Sequence, residues 1–335
     1  MSTTNQQWRL ARRPTGEPSA DDFELVDVPI PDPGPDEVLV RTQYFSVDPY
    51  MRGRMRDDWA VGDPMVARSV GEVVESNHAD FTPGDIVYGT LDWARYTVID
   101  GDDLTPVDAE QAPITTRLGV LGMTGLTAYF GLLEVGQPKP GDTVIVSAAA
   151  GAVGSVVGQL ARLGGCHVVG ITGADEKATW LTEELGFDAA INYRTTTDLP
   201  AAIADACPRG VDVYFENVGG EISDAVLDHL NRYSRVAVCG KIALYNREDA
   251  PGDQPTGPRR MYQRTRTRVE GFIVSDFEPR FEDARDRLAR WVRNDDLRYR
   301  ETITEGLEHA DEAFLGLFEG VNIGKQLVQV TDPSA

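Results

Sequence analysis

Lysine is scarce in this 335-residue chain: it occurs only at Lys139, Lys177, Lys241 and Lys325, and every other basic residue is arginine. Basic charge as a whole is short, with 32 Lys and Arg against 54 Asp and Glu and a net charge of −22. A surface that acidic repels nucleic acid and anionic membranes, so neither is expected as a partner. The acidic residues are spread along the chain, which suggests adaptation to high salt, where screening relieves self-repulsion. Cysteine is scarce too: Cys166, Cys207 and Cys239 are odd in number, lack a Cys-x-x-Cys pair and read as buried free thiols. His78, His167, His229 and His309 do not join them at metal-ligand spacing, which argues against a zinc site. No apolar run is long enough to cross a bilayer. The opening "MSTTNQQWRLARRP" is polar and carries no export signal, so the cytoplasm is the expected location.

What the chain does have is length for two domains and a change of texture along it. Residues 1–118 read as short β-rich segments, "EVLVRTQYFSV", "VGEVVES", "GDIVYGT" and "ARYTVI", broken by Pro, Gly and Asp, a pattern that suggests a mostly antiparallel barrel. Over 119–300, strand-like runs such as "TVIVSA", "HVVGIT" and "VDVYFENVG" alternate with helix-like ones such as "VGQLARLG" and "ISDAVLDHL". That alternation predicts an α/β fold, a doubly wound parallel sheet with helices on both faces. Residues 301–335 bring a helix-like "DEAFLGLFEG" and a strand-like "GKQLVQV", expected to rejoin the first domain. The stretch "REDAPGDQPTGPRR", Arg247 to Arg260, is long for a connection and reads as a lid or binding loop, or as a plain surface excursion.

The small residues of "SAAAGAVGSVVGQLARLGG", from Ser147 to Gly165, stand between a strand-like and a helix-like run. Ala149, Gly151 and Gly154 match the Gly-x-Gly-x-x-Gly dinucleotide fingerprint with alanine first. There Gly151 would let the backbone approach a pyrophosphate, Gly154 would let helix and strand pack closely, and amides at the helix start would hold the anion. A small-residue turn in an ordinary α/β protein would carry the same letters. An NAD site usually ends its second strand on an acidic residue that binds the ribose 2′-hydroxyl. Here the strand ends at uncharged Thr172 and Gly173 with Lys177 just beyond, which favours NADPH over NADH. Asp175 and Glu176 lie close by, and with Lys177 could simply form the first turn of the next helix.

Together "YFSVDPYMRGRM", the block from "GMTGLTAYFGLLEVGQPKPGD" through "ITGADEK", "LGFDAAINYR", "YFENVGG", "CGKIALYN" and "EGFIV" resemble the zinc-independent branch of the medium-chain dehydrogenase/reductase superfamily. Within it the chain is similar, almost end to end, to the group of prostaglandin reductases, bacterial curcumin reductase and plant alkenal double-bond reductases. The resemblance implies a GroES-like barrel domain beside a Rossmann domain, with NADP(H) bound and the nicotinamide in the cleft between them. It implies that Gly151, Ala152, Val153 and Gly154 lie under the pyrophosphate, that Lys177 and Tyr193 meet the 2′-phosphate, and that Asn217 sits near the dinucleotide. Thr127, Cys239, Gly240 and Tyr245, the segment Gly271, Phe272, Ile273 and Val274, and Asn322 of "NIGK" would line the nicotinamide half. Relatives also use the "GFIV" strand for homodimer pairing. Zinc-dependent cousins carry a Cys ligand where this chain has "FSVDPYM", a Gly-His-Glu segment where it has "ARSVGEVVE", and a four-cysteine lobe that it lacks, so no metal is expected.

The activity so implied is NADPH-dependent reduction of the double bond of an α,β-unsaturated ketone or aldehyde, a small-molecule enone or alkenal. Hydride reaches the β-carbon, charge develops on the carbonyl oxygen, and a donor must meet it. Tyr245 in "ALYN" matches the family's tyrosine near the nicotinamide ribose and is the first candidate for that donor; Tyr245 or water would protonate the α-carbon. Tyr50 in "DPYMR" and Tyr262 in "MYQRTRTR" are the other candidate catalytic residues. Arg259, Arg260, Arg264, Arg266 and Arg268 form a basic patch that reads as a contact for an anionic substrate tail or as a solvated face paired with acids. Two other functions use the same features: a quinone reductase of the same superfamily, and a non-catalytic NADPH-binding sensor.

Overall fold

The computed structural model describes residues 4–110, 112–247 and 257–331, with backbone alone over 257–260. It divides into two compact units, residues 1–119 with 301–335 and residues 120–300.

The first unit is built on β3 (Glu37–Ser46), a ten-residue strand rich in Val, Leu, Tyr and Phe. Register shifts at Leu39/Val40 and Thr42/Tyr44 bend it, so it can pair with β4 (Val66–Ser76), with β6 (Tyr96–Asp100), and with β15 (Lys325–Gln329) at its end. β5 (Ile86–Asp92), β7 (Thr105–Pro106) and β14 (Glu301–Glu305) complete the sheet in the order β14-β15-β3-β4-β5-β7, with β6 also on β3. All but the β14–β15 pair are antiparallel. The polar opening of the chain forms a strand as well: β1 (Thr4–Leu10) pairs antiparallel with β2 (Phe23–Pro29). Trp8 anchors this hairpin, burying its ring while its Nε1 donates to the Leu307 carbonyl at 2.7 Å. Trp93 stacks on Phe45 at 5.1 Å and meets Phe314 edge-on, and Met51 of α1 (Met51–Asp57) and Phe314 of α9 (Ala310–Glu319) close this core.

The second unit is a Rossmann-type sheet. Its strands β8 (Thr143–Ser147), β9 (His167–Thr172), β10 (Ala189–Asn192), β11 (Val211–Glu216), β12 (Leu230–Val238) and β13 (Arg268–Gly271) are all parallel, in the order β10-β9-β8-β11-β12-β13. Every residue of β8 is buried, as expected for a central strand covered on both faces. Helices α2 (Met123–Phe130), α3 (Gly154–Leu163), α4 (Asp175–Thr179), α5 (Leu199–Ala206), α6 (Gly220–Leu227), α7 (Gly257–Thr265) and α8 (Phe281–Arg293) accompany it. The strand order reverses at β8 and β11, where neighbouring crossovers run in opposite directions and leave a crevice at the strand ends.

Candidate active site

β8 ends on buried Ser147, and the chain then turns at Ala148, which takes a left-handed backbone with φ +48°. The tight turn thus falls one residue ahead of the fingerprint's first position, since the Ala149 amide still donates to Ile171 of β9 at 3.0 Å. The Gly151 amide closes the turn on the Ala148 carbonyl at 3.0 Å. A Cβ at Gly154 would stand 2.4 Å from that carbonyl oxygen and 2.8 Å from the Ala149 Cα, so α3 can start this close to the strand only on glycine. A Cβ at Gly151 would meet only the Ala148 oxygen, at 3.2 Å, and otherwise enter open space. The amides of Ala152, Val153 and Gly154 stand at the start of α3, where backbone N–H groups have no acceptor within the helix. Successive open donors at a helix start, beside a glycine with an empty Cβ position, fit a pyrophosphate.

At the end of β9, the buried Thr172 accepts the Tyr193 amide at 3.0 Å. That bond folds the end of β10 over Gly173, where a Cβ would lie 3.1 Å from the Tyr193 hydroxyl and 3.3 Å from Arg194 Nε. Lys177 on α4 has its pKa lowered, first by burial and then by the like charge of Arg194. Two cations and a phenol therefore converge where no carboxylate ends the strand, and a phosphate dianion would relieve their repulsion. Asp175 accepts from Asn192 Nδ2 at 2.6 Å. Sequence reasoning reaches Lys177 and Tyr193 but misses Arg194, whose only signal is its place directly after the tyrosine of "INYR".

Beyond β11, the backbone carbonyls of Glu216, Asn217 and Val218 accept the amides of Cys239 (2.9 Å), Ile242 (3.3 Å) and Ala243 (3.0 Å). Asn217 is tied in turn to β8, its amide donating to Ser147 Oγ at 2.9 Å and its Nδ2 to the Ser147 carbonyl at 2.8 Å. The segment from Cys239 to Tyr245 thereby hangs on the end of β11, next to the fingerprint turn. Tyr245 is half-buried, and its oxygen accepts the Lys241 backbone amide. Burial, with the neighbouring Cys239 adding to it, raises the hydroxyl's pKa, so the group keeps its proton at neutral pH. With the backbone occupying a lone pair, the O–H is left to donate elsewhere. Burial pushes the Cys239 thiol up to about 12, which makes it a poor nucleophile.

The other candidates of this unit are held by their own neighbours. The Phe272 ring packs edge-on against Phe215 at 6.3 Å, and Val274 opens a short 3₁₀ turn. Ile273 is exposed, and its amide donates to Asp276 at 3.3 Å. Thr127 donates its hydroxyl to the Met123 carbonyl at 2.7 Å. A Cβ on Gly240 would lie 3.6 Å from the Tyr245 hydroxyl, so Gly240 gives that ring room. Tyr262 packs with Met261 on the core beside β11 and β12, and its pKa is raised by burial and then by Glu216 and Asp224. In the basic patch, Arg266 lies over the Tyr233 ring at 5.6 Å and Arg268 pairs with Glu270 at 3.6 Å. The side chains of Arg259 and Arg260, and residues 248–256 of the long connection, lie outside the described residues.

Tyr50 and Asn322 belong to the first unit. Tyr50 precedes α1 and packs on that unit's core; burial, then Asp48, raises its hydroxyl's pKa. Asn322 Nδ2 donates to the Gly324 carbonyl at 2.8 Å. Between these motifs lies a feature that sequence reasoning misses: Lys325 Nζ donates to the Val47 carbonyl at 2.8 Å and pairs with Asp48 at 2.9 Å, with the two side chains only 4% and 5% exposed. The pair joins the "SVDPYM" and "NIGK" segments.

Residues 6–107 match a family described as the N-terminal domain of oxidoreductase, and residues 152–290 match one described as zinc-binding dehydrogenase. The chain is 44% identical to the NADPH-dependent curcumin reductase of Escherichia coli (strain K12), over 97% of each chain. It is 41% identical to the NADP(+)-dependent 2-alkenal reductase of Nicotiana tabacum, over 98% of each. The crystal structure of CurA from Vibrio vulnificus in complex with NADPH superposes with a TM-score of 0.91 at 41% identity, covering 98% of this chain and 100% of that one. Among the described residues, no group of three or more His, Cys, Asp or Glu stands together as a metal-ligand set would.

Proposed function

Because the chain belongs to the zinc-independent group of the medium-chain dehydrogenase/reductase superfamily, with the curcumin and 2-alkenal reductases, we propose that it reduces the carbon–carbon double bond of α,β-unsaturated ketones or aldehydes with NADPH. The observation that carries this reading is similarity over almost the whole chain to reductases named for two conjugated alkenes. The meeting of Lys177, Tyr193 and Arg194 at an uncharged strand end supports the choice of cofactor.

The open amides of Ala152, Val153 and Gly154 would hold the pyrophosphate, and Lys177, Tyr193 and Arg194 the 2′-phosphate. Bound NADPH supplies the hydride. As the β-carbon of the substrate is reduced, its carbonyl oxygen becomes negative, and a donor already aimed at that oxygen lowers the barrier. Tyr245 takes this role: burial keeps it protonated and the Lys241 amide orients its oxygen. The α-carbon then gains a proton from Tyr245 or from water. A saturated ketone has no electrophilic β-carbon and should be inert.

The enzyme is a cytoplasmic homodimer in this reading. Free thiols at all three cysteines suit a reducing compartment. β13 is an open sheet edge with Val269 exposed along it and Ile273 just beyond, so it can pair with a second copy. The test is NADPH oxidation with an alkyl enone, an alkenal, a diarylheptanoid enone, a quinone and a saturated ketone, repeated with NADH. Turnover of the conjugated alkenes with NADPH, and none of the saturated ketone, is expected. Activity confined to quinones would overturn the assignment.

A further inference from the structure

A chain of buried hydroxyls ending on a half-buried carboxylate runs beneath the site and is used by no step above. The Ser223 hydroxyl of α6 donates to the Glu216 carboxylate, Ser223 Oγ meets the Tyr214 hydroxyl at 3.0 Å, and that hydroxyl meets Ser147 Oγ at 3.3 Å. Ser147 is fully buried, immediately precedes the Ala148 turn, and is where the Asn217 amide and side chain attach. At its other end the Glu216 carboxylate also accepts the Gly219 amide, in a turn where Gly219 and Gly220 take successive positive φ values of 76° and 62°. The backbone carbonyl of Glu216 accepts both Cys239 and Gly240, at 2.9 and 3.1 Å, which begins the segment ending at Tyr245. One carboxylate therefore touches, through single hydrogen bonds, the turn on which the Tyr245 segment hangs and a hydroxyl chain that ends at the fingerprint turn.

We propose that Glu216 is a positioning residue for hydride transfer: its carboxylate, by gripping Gly219 and Ser223, fixes the Glu216–Val218 turn and so the placement of Tyr245. The inference rests on the function proposed above. Ionised, the carboxylate accepts from Gly219 and Ser223 together in charge-assisted bonds. Protonated, it donates to Ser223 instead of accepting from it, and the grip on Gly219 weakens. The titratable groups facing Glu216 are Tyr214 on its own strand, Asp224 on α6 and Tyr262 on α7. Burial raises its pKa to about 7, the Gly219 and Tyr214 bonds oppose that, and Asp224 adds to it. The change thus falls near neutral pH, with the gripping form above it.

The test compares the wild type with Glu216→Gln, whose amide accepts from Gly219 and donates to Ser223 as the protonated carboxyl does. In single-turnover reduction of an enone, the wild-type hydride step should rise about tenfold through neutral pH, as expected when a donor is brought into alignment. Glu216→Gln should stay at the low-pH rate throughout while NADPH affinity changes less than about threefold. Hydrogen exchange provides a readout that needs no activity: after correction for intrinsic rates, residues 239–245 should be less protected in Glu216→Gln than in the wild type above neutral pH, and equal below it. Ser223→Ala, which removes the other end of the grip, should lower the same protection if Glu216→Gln folds poorly. Wild-type protection and a wild-type pH profile in these variants would overturn the proposal. If the wild type reduces no enone, the proposed function fails, and exchange alone decides whether Glu216 positions the segment.

Discussion

Gly151 and Gly154 lie three residues apart in one turn and do different work, which alanine substitution can separate. At Gly154 a methyl group would be 2.4 Å from the Ala148 oxygen and 2.8 Å from the Ala149 Cα, both backbone atoms, so strand and helix must part. Overpacking of that kind costs about 1–3 kcal/mol. For a domain of this size each kcal/mol is worth roughly 2–4 °C, so Gly154→Ala should melt some 2–12 °C lower even without cofactor. At Gly151 the methyl would meet only the Ala148 oxygen, at 3.2 Å, a contact relieved by a shift of a few tenths of an ångström, and the residue does not take a positive φ. There the small strain is offset by the roughly 0.4–1 kcal/mol that a stiffer unfolded chain contributes, so the melting temperature should move much less than in Gly154→Ala. The methyl would instead occupy the space where the pyrophosphate approaches. Losing one charge-assisted bond, at about 1.5–3 kcal/mol, corresponds to about a tenfold to hundredfold weaker NADPH affinity. Thermal unfolding with and without NADPH, and a fluorescence titration of the cofactor, read both effects. Gly151→Ala that binds NADPH like the wild type would show that the pyrophosphate does not lie against this turn.

Tyr245→Phe should slow the hydride step about a hundredfold and leave NADPH affinity nearly intact, as seen by stopped flow, because it removes one donor to the developing oxyanion. Lys177→Ala and Arg194→Ala should each weaken NADPH about tenfold or more with little change for NADH, a comparison of KM values that tests whether Arg194 shares the 2′-phosphate. Lys325→Met should lower stability by about 3–5 kcal/mol in thermal or denaturant unfolding, because it strands the buried Asp48 carboxylate; replacing Asp48 as well, with leucine, should restore much of the loss.

Local patterns made the parallel sheet legible. An all-apolar β8, a run of small residues and then a helical period state the strand, turn and helix of a nucleotide fold in consecutive letters. The first unit was legible as β-rich, yet its opening hairpin was not. "TNQQWRL" looks polar, and its alternating burial depends on partners such as Leu307, almost 300 positions away. The same limit governs the site. The glycine turn and Lys177 announce themselves by spacing, whereas the Ser147–Tyr214–Ser223–Glu216 chain and the Asp48–Lys325 pair join residues distant in sequence, and no local pattern marks them. The left-handed turn at Ala148, one position before the fingerprint's first residue, Ala149, follows from the sheet bond that Ala149 still makes.

The most direct test of the proposed chemistry is the fate of the hydride. NADPH deuterated at the transferred position would be turned over with an enone and the product examined by NMR. The expected product is a saturated ketone with deuterium on the β-carbon and a solvent-derived proton on the α-carbon. Deuterium on a carbinol carbon, with the double bond intact, would contradict it and make the protein a carbonyl reductase.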